Sequence, residues 1–434
     1  MEQTIKQPDN IKGQISPPGD KSISHRALML NAIADGTAEV KNYLPSADVS
    51  STIKCLEAMG VKIEVYDDKL IVHGTGLDGL KEPNDILDAG NSGTSMRLLS
   101  GLLAAQPFLT TITGDDSLRS RPMDRVIKPL RLMGASIWGK SSNGLAPLMI
   151  KGADLHGIKY EMPVASAQVK SAILLASLYA QGTTTIIEPI KSRDHTERML
   201  RAMGVALNIS GNEISCLPPA KSLKSLNITV PGDVSAAAYW LVAGAIHPSA
   251  RIEITNVGVN PTRSGIIDVL TEMGAKIEIK NEHKEGGEPV ADLIVKSSQL
   301  KGINIEGDMI PRLIDEIPVI AVAASMAKGK TTIRDAGELR VKESDRITTT
   351  TAELQKMGAR IEELLDGMVI NGTGKLRGAE CDSHADHRLA MALAVAGLVA
   401  EGDTMIYNAE AVNISYPDFW SDLDNLTGQN EDNS

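Results

Sequence analysis

The sequence predicts an α/β protein of two domains, each built from three copies of one repeated unit. The dipeptide Met-Gly recurs five times, about 70 to 84 residues apart, each time between a helical pattern and an alternating strand-like run. A strand rich in Thr and Ile recurs six times at similar spacing. Repeats of this length exceed the ~20–50 residues usual in solenoids, so two globular domains are the better interpretation.

Each element of the repeat has a local explanation. Glycine directly after a helical run suits the left-handed position that ends helices, and this predicts helix ends at Gly60, Gly134, Gly204, Gly274 and Gly358. The unit therefore reads strand, helix, strand, helix, strand. The sixth copy lacks a Met-Gly pair, and we expect the N-terminal strand around Ile11–Ser16 to complete it.

The turn Pro-Gly-Asp occurs twice, at Pro18–Asp20 and at Pro231–Asp233, where the first and fourth repeats begin. Proline fixes φ, glycine allows positive φ, and aspartate can cap the next helix. We therefore expect a hinge near 17–20 and 229–233, one domain over 18–229, a second over 1–17 plus 230–427, and a tail over 428–434. The second turn, followed by "VSAAAYW", is expected to be purely structural.

Composition excludes several classes of protein. The net charge of −11 argues against binding nucleic acid. The three cysteines lack CxxC spacing, which argues against a disulfide scaffold or zinc finger and indicates a reducing compartment. The apolar runs are too short to span a membrane and no signal-peptide pattern is present. We expect a cytoplasmic protein without membrane contact.

Cationic and hydroxyl residues gather where helical patterns begin, in "GDKSISHR", "AGNSGTSMR", "SLRSRPMDR", "VASAQVKS", "IKSRDHTER", "LRVKESDR" and "HADHR". Each cluster alone is typical of solvated surface. Their recurrence at equivalent points of an acidic protein predicts a cleft that binds more than one anionic group, because helix N-termini and arginines suit phosphate and carboxylate. Asp315 and Glu343 lie among these cations and are candidates for proton transfer. Glu316 is interpreted as structural, and no metal-ligand spacing is found.

These motifs closely resemble those of the EPSP synthases, the 3-phosphoshikimate 1-carboxyvinyltransferases, in their class II branch. The matching segments include "PGDKSISHRAL", "DAGNSGTSMRLLSGLLA", "ASAQVKSAILLA", "ELRVKESDRI" and "DHRLAMALAVAG", and they span nearly the whole chain in order. The resemblance implies a two-domain inverted α/β barrel of the enolpyruvyl transferase type, with six βαβαββ-like units, three per domain. It also implies enolpyruvyl transfer from phosphoenolpyruvate to the 5-hydroxyl of shikimate 3-phosphate, without a metal or other cofactor, and a monomer.

The resemblance also implies residue roles. Shikimate 3-phosphate would be held by Lys21, Ser22, Arg26, Ser166, Ala167, Gln168, Arg193, Asp315 and Lys342. Phosphoenolpyruvate would be held by Lys21, Asn91, Gly93, Thr94, Arg121, Gln168, Arg346, His387 and Arg388. Asp315 would accept the 5-hydroxyl proton, and Glu343 with Lys21 would transfer protons at the methylene carbon of phosphoenolpyruvate.

Two positions of the expected phosphoenolpyruvate site differ among members of the family. Many members of the family have a lysine where this chain has Ile414, which would remove one cation from the phosphoenolpyruvate site. Gly93 stands where some glyphosate-tolerant members have alanine, so glyphosate is an expected inhibitor.

Two alternatives remain: a UDP-N-acetylglucosamine enolpyruvyl transferase, although "DDSLRSRPMD" lacks the cysteine of many such enzymes, and a non-catalytic repeat protein that binds phosphorylated ligands.

Overall fold

A computed structural model describes residues 1–142, 144–219 and 222–428, and in it the chain divides into two compact units. The N-unit comprises Gly19–Val230 and Lys284–Glu288. The C-unit comprises Met1–Pro18, Pro231–His283 and the described residues from Pro289 onward. Apart from Gly428, the predicted tail over 428–434 lies outside the described residues.

This division differs from the expected domain bounds at Lys284–Glu288, which belongs to the N-unit. The segment is tied there by side chains: Glu288 Oε1 lies 2.9 Å from His195 Nδ1, and Glu285 Oε1 accepts from the Thr229 amide at 3.0 Å. A repeat pattern does not reveal such a segment, because it records local periodicity rather than tertiary contacts.

The N-unit contains an inner and an outer helix in each repeat. Its helices are α1 (Lys21–Ala32), α2 (Ala47–Ala58), α3 (Gly93–Leu103), α4 (Asp116–Arg119), α5 (Asp124–Leu132), α6 (Ala167–Ser177) and α7 (His195–Ala202). Its first sheet has, in spatial order, the strands Leu223–Lys224, Ala34–Lys41, Lys69–Thr75 and Lys62–Val65, and Ile228–Thr229 also pairs with Ala34–Lys41. The second sheet has the strands Leu87–Asp88, Leu109–Thr113, Leu145–Lys151 and Ser136–Lys140. The third sheet has the strands Lys159–Glu161, Thr184–Ile187, Glu213–Cys216 and Leu207–Ser210.

The C-unit repeats this plan. Its helices are α8 (Val234–Ile246), α9 (Gly265–Met273), α10 (Ile310–Leu313), α11 (Ile317–Met326), α12 (Arg346–Lys356), α13 (His387–Gly397) and α14 (Phe419–Thr427), with 3₁₀ turns at Gly307–Met309, Ile314–Glu316, Gly337–Val341 and Ala409–Ile414. One sheet has, in spatial order, the strands Lys276–Glu285, Glu288–Lys296, Ala250–Gly258 and Ile11–Ile15, and another has Asn304–Ile305, Gly329–Ile333, Gly367–Gly372 and Arg360–Leu364. A third sheet has Glu2–Ile5, Thr404–Tyr407 and Glu380–Asp382. Leu376–Arg377 pairs with Ala400–Glu401 in a separate two-stranded sheet.

The expectation that the strand around Ile11–Ser16 completes the last repeat is wrong. Ile11–Ile15 pairs in parallel with Ala250–Ile254 of the fourth repeat, and Glu2–Ile5 pairs antiparallel with Thr404–Tyr407 of the last. Both N-terminal segments have strand character, so the sequence left the choice of partner open. Pairing between distant strands depends on the tertiary fold rather than on local pattern.

The Met-Gly prediction is confirmed. All five glycines adopt a left-handed backbone, with φ between 84° and 114°, at the end of the outer helix of each of the first five repeats. This region is strained for side chains with a Cβ atom, so glycine is the residue expected there. The recurring dipeptide is therefore a recurring helix stop.

Each repeat buries one helix almost entirely. The inner helices are α1, α3 and α6 in the N-unit, and α8, α11 and α13 in the C-unit, and beyond their first turns nearly all of their residues are buried. Small residues allow this packing: a Cβ atom on Gly101 of α3 would lie 2.3 Å from the carbonyl oxygen of Ala172 in α6. A helix that is apolar on every side belongs in the core.

One buried hydroxyl yields a stability prediction. The Thr184 side chain is fully buried in a strand, and its Oγ1 has no hydrogen-bond partner among the described residues. Thr184→Val removes this unsatisfied group and keeps the branched shape, so we expect the free energy of unfolding to rise by about 1 kcal/mol. Thermal unfolding followed by circular dichroism measures this, and a lower midpoint for the variant would contradict the assignment.

Candidate functional site

Most of the predicted site residues lie at or just before the N-termini of the inner helices. Lys21 and Ser22 begin α1, Gly93 and Thr94 begin α3, Ala167 and Gln168 begin α6, Asp315 precedes α11, and His387 and Arg388 begin α13. The first N–H groups of a helix lack intrahelical partners and lie at the positive end of its dipole. The repeated fold therefore places polar side chains and backbone donors at equivalent points of several repeats, where they are suited to binding anions.

The N-unit cluster forms around the start of α3 and consists of Asn91, Gly93, Thr94, Arg97, Arg121 and Gln168. Gln168 links α6 to α3, because its Nε2 donates to Thr94 Oγ1 at 3.0 Å and its Oε1 accepts from Arg97 Nη1 at 2.6 Å. Arg97 was not among the predicted residues. Its signal was its place at the end of "GNSGTSMR", one turn after Gly93.

Arg121 is attached to the same cluster from the loop before α5. Its Nη2 donates to Asn91 Oδ1 at 2.8 Å and to Ser117 Oγ at 3.0 Å. Asn91 in turn donates through Nδ2 to Asp115 Oδ2 at 2.7 Å. The structure thus brings Asn91, Gly93, Thr94, Arg121 and Gln168 together around the start of α3.

Lys21 is ion-paired where α1 begins. Its Nζ lies 3.1 Å from Asp48 Oδ2 in the first turn of α2, and both side chains are only partly exposed. Asp48 was also missed by the sequence reading, because a lone aspartate in a first helical turn is typical of dipole stabilisation. The pair holds the predicted catalytic ammonium near the start of α1.

Arg26 lies one turn further along α1 and is buried, with 4% of its surface exposed. Its guanidinium donates to Thr196 Oγ1, to Ser171 Oγ and to the carbonyl oxygen of Ser22, each at 2.8 Å. Burial lowers the pKa of Arg26 to about 10, although the charge of Asp20 opposes this. The side chain is therefore fixed by hydroxyl and carbonyl groups on three elements.

The loop that carries Arg193 is held at the neighbouring Ser192 by two buried side chains, the carboxylate of Glu188 and the ammonium of Lys170. Glu188 Oε1 accepts from the Ser192 amide at 3.2 Å and from its hydroxyl, while Lys170 Nζ donates to the Ser192 carbonyl at 3.3 Å. Burial alone would lower the pKa of Lys170, but the carboxylates of Glu197 and Glu188, at 2.7 and 2.9 Å, raise it. Ser166 caps α6 by accepting from the Val169 amide at 3.4 Å.

The C-unit cluster is centred on Arg346, of which 2% is exposed. Its guanidinium lies 2.8 Å from Asp386, 2.6 Å from Glu343 and 3.3 Å from Asp315. Lys342 Nζ also lies 3.1 Å from the Asp315 carboxylate. The structure therefore joins the predicted residues Asp315, Lys342, Glu343 and Arg346.

Charge in this cluster is strongly stabilised. Burial works to lower the pKa of Arg346, but Glu343, Asp386 and Asp315 outweigh it and raise that pKa above its usual range. Burial likewise works to raise the pKa of Asp386, and Arg346 outweighs it, so the Asp386 pKa is lowered. Asp386 was not predicted, although it stands in the quoted "HADHR".

Arg388 and His387 begin α13, where Asp386 caps the helix by accepting from the Arg388 amide at 2.9 Å. Burial disfavours the charge of Arg388, but Tyr239, Asp315 and Asp233 nearby raise its pKa above the usual range. Ile414, which stands at the expected lysine position, is 41% exposed at the end of a 3₁₀ turn.

The second Pro-Gly-Asp turn takes part in a buried network of ion pairs, which the sequence did not predict. Asp233 caps α8 through the Ser235 amide at 2.8 Å and lies 3.3 Å from buried Arg263. Arg263 also lies 3.0 Å from Glu316, which accepts from the Ser235 hydroxyl. Glu316 is thus a buried anchor directly beside Asp315 in the same 3₁₀ turn.

The described residues offer neither a metal site nor a membrane-spanning helix. Within residues 1–142, 144–219 and 222–428, no group of three or more His, Cys, Asp or Glu side chains is arranged to hold a metal ion. No helix in the same ranges has the length and apolar character needed to cross a membrane.

Comparison with known proteins gives consistent matches over nearly the whole chain. The family model described as EPSP synthase (3-phosphoshikimate 1-carboxyvinyltransferase) matches residues 5–423. The 3-phosphoshikimate 1-carboxyvinyltransferase of Herpetosiphon aurantiacus is 56% identical over 422 residues, covering 97% of this chain and 98% of that protein. The protein of the same name from Roseiflexus castenholzii is 54% identical, covering 98% and 99%.

A solved structure of EPSP synthase from Acinetobacter baumannii matches with a TM-score of 0.90 and 46% identity, covering 98% of each chain. The predicted fold class is therefore confirmed: a two-domain inverted α/β barrel of the enolpyruvyl transferase type, with six repeated units, three per domain.

The Arg346–Asp386 pair yields a pH-dependent prediction. Asp386→Asn leaves a buried guanidinium with one carboxylate fewer, so we expect a loss of about 2 to 4 kcal/mol of stability at pH 7. The folded pKa of Asp386 lies below its unfolded value of about 3.9, so the parent's advantage is present above that pH and is lost as pH falls through the folded pKa. Thermal unfolding at pH 7 and pH 3 measures both effects. A gap between the two proteins that stays constant with pH would contradict them.

Proposed function

Because the chain belongs to the EPSP synthase family, we propose that the N-unit and C-unit clusters hold the substrates and move the protons of that family's reaction. The chain is a transferase of the shikimate pathway, which leads to chorismate and the aromatic amino acids. It transfers the enolpyruvyl group of phosphoenolpyruvate to the 5-hydroxyl of shikimate 3-phosphate and releases phosphate. The observation that supports the residue roles is the recurrence of cations and hydroxyls at the N-termini of buried helices.

Shikimate 3-phosphate is assigned the residues at the starts of α1 and α6, the Arg193 loop and part of the C-unit cluster. They are Lys21, Ser22, Arg26, Ser166, Ala167, Gln168, Arg193, Asp315 and Lys342. The fixed guanidinium of Arg26 and the anchored Arg193 loop support this assignment, because planar guanidinium groups bind phosphate through two donors. Ordered cations also lose little conformational entropy when a ligand arrives.

Phosphoenolpyruvate is assigned the start of α3 together with cations from both clusters. The residues are Lys21, Asn91, Gly93, Thr94, Arg121, Gln168, Arg346, His387 and Arg388. Support comes from Gly93, which is buried where a helix N-terminus presents its amides, and from Arg346 and Arg388, whose charge is stabilised by surrounding carboxylates. We add Arg97, which lies within hydrogen-bonding distance of Gln168, to this set.

The reaction moves protons at two places, the methylene carbon of phosphoenolpyruvate and the 5-hydroxyl. Protonation of the methylene carbon builds positive charge at the adjacent carbon, which the 5-hydroxyl attacks as it loses its proton. The tetrahedral intermediate then loses phosphate together with a proton of the new methyl group, and this restores the carbon–carbon double bond. We assign the carbon-directed proton to Glu343 with Lys21. We assign removal of the hydroxyl proton to Asp315, since Lys342 and Arg346 beside it favour its charged form. Cations nearby stabilise the departing phosphate.

We also propose that the enzyme is a cytoplasmic monomer, that it needs no cofactor, and that glyphosate inhibits it. Support for the compartment comes from Cys55, Cys216 and Cys381, which are free thiols and buried, as expected where disulfides do not form.

The first test of this function is phosphate release. With phosphoenolpyruvate, we expect release when shikimate 3-phosphate is the acceptor and none with UDP-N-acetylglucosamine. Asp315→Asn keeps the side chain's size but removes the base, so kcat should fall by about 100- to 10,000-fold with little change in KM. The opposite acceptor preference would overturn the function, and an Asp315→Asn variant with parental kcat would overturn only the role of Asp315.

Gly93 provides a separate test of the phosphoenolpyruvate site. A Cβ atom there would lie 2.8 Å from Arg97 Nη1, so Gly93→Ala should displace that flexible side chain and weaken its bond to Gln168. We expect KM for phosphoenolpyruvate to rise by about 2- to 10-fold and the inhibition constant of glyphosate to rise by more. Steady-state inhibition kinetics measure both. A variant no more resistant to glyphosate than the parent would count against this placement.

A further inference from the structure

A buried line of hydrogen bonds connects the first three helices of the N-unit. His25 Nδ1 of α1 lies 2.7 Å from Thr52 Oγ1 of α2, and Thr52 Oγ1 lies 2.7 Å from Ser95 Oγ of α3. Ser95 Oγ in turn lies 2.7 Å from Ser92 Oγ, which caps α3. All four side chains are fully buried. None of them belongs to the residues assigned above.

The direction of this line follows from the imidazole. Burial lowers the pKa of His25 to about 3, and Lys21 and Arg26 add to the effect against the opposing charge of Asp48, so the ring is neutral. Its Nε2 has no hydrogen-bond partner among the described residues. A buried N–H without an acceptor is costlier than an unused lone pair, so we place the hydrogen on Nδ1. His25 then donates to Thr52, Thr52 to Ser95, and Ser95 to Ser92.

The ends of the line adjoin two groups of the reaction. His25 lies one helical turn after Lys21, and Ser92 directly precedes Gly93 and Thr94. Thr52 lies one turn after Asp48, the ion-pair partner of Lys21. Thr52 is the shared member that joins α1 to α3, because its single hydroxyl accepts from one helix and donates to the other. Without it, the start of α3 loses its hydrogen-bonded connection to His25 of α1, and Ser95 Oγ keeps only a longer contact with α2, 3.4 Å from the Asp48 carbonyl oxygen.

We propose that Thr52 is a positioning residue for phosphoenolpyruvate. It acts through Ser95 and Ser92 and fixes the amides at the start of α3 relative to Lys21. This role rests on the proposed function, because it takes the start of α3 as the binding site of that substrate.

A second buried threonine in the same unit supplies a matched comparison. Thr196 Oγ1 of α7 accepts from Arg26 Nε at 2.8 Å and lies 2.7 Å from Ser171 Oγ of α6. It therefore supports Arg26, which is assigned to shikimate 3-phosphate. The two threonines are alike in burial and in bonding two partners, but they act on different substrates.

The test measures KM for each substrate in Thr52→Val, Thr52→Ser, Thr196→Val and Thr184→Val. Thr52→Val should raise KM for phosphoenolpyruvate by about 5- to 20-fold, because the hydrogen bond from Thr52 to Ser95 near the start of α3 is lost. KM for shikimate 3-phosphate should stay within about 2-fold of the parental value, because the contacts of Arg26 are unchanged. Thr52→Ser keeps the hydroxyl and should restore the parental value. Thr196→Val should show the reverse split, and Thr184→Val, whose hydroxyl has no described partner, should match the parent.

The outcomes separate this proposal from the proposed function. Absence of phosphate release in the parent and in Thr184→Val would refute the function itself. Normal release in the parent, with both KM values raised equally or neither raised in Thr52→Val, would overturn the positioning role alone. If Thr52→Val does not fold, Ser95→Ala breaks the same line one bond later. It must then raise KM for phosphoenolpyruvate selectively, and parental KM values in Ser95→Ala would overturn the proposal.

Discussion

The structure depends on one constraint: each repeat buries a whole helix, and a buried helix has an N-terminus whose N–H groups need partners. The chain meets this need with caps, such as Asp20 for α1, Ser92 for α3 and Asp386 for α13. Once caps, hydroxyls and cations are gathered there, an anion is a further partner for the same donors. The chemistry of the site is thus an extension of what the fold already requires at the end of each inner helix.

Burying cations for this purpose carries a desolvation cost, and the surroundings of two buried arginines, Arg346 and Arg26, offset it differently. In the C-unit, Arg346 is surrounded by carboxylates, which keep it charged. The same carboxylates compete with an incoming anion for its guanidinium group. In the N-unit, Arg26 is oriented by direct hydrogen bonds to hydroxyl and carbonyl oxygens, and the charge of Asp20 favours its charged form. Arg26 is therefore the more available charge for a phosphate, whereas Arg346 requires its carboxylate partners to share it.

The sequence predicted the features that local chemistry decides. The helix-ending glycines were recoverable because a left-handed residue excludes most side chains. The position of several motif residues at helix starts was recoverable because polar and cationic residues recur there in the sequence. The partner of Ile11–Ile15 was missed because strand pairing is a long-range choice. Arg97 and Asp386 stood inside quoted motifs, yet their importance depends on side chains far along the chain. Thr52 carried no signal at all, since a single threonine in a helix gains meaning only from the neighbours that the fold supplies.

The pairing of Glu2–Ile5 with Thr404–Tyr407 has a consequence for biosynthesis. During vectorial synthesis on the ribosome, the first strand of the C-unit emerges some 400 residues before its partner, which at about 5 to 20 residues per second is a delay of roughly 20 to 80 seconds. Most of the N-unit is complete well before then. During co-translational folding, the N-unit should therefore fold before the C-unit is complete. The edge strand Glu2–Ile5 stays unpaired until the last repeat leaves the ribosomal tunnel, and in the meantime it is exposed to chaperones.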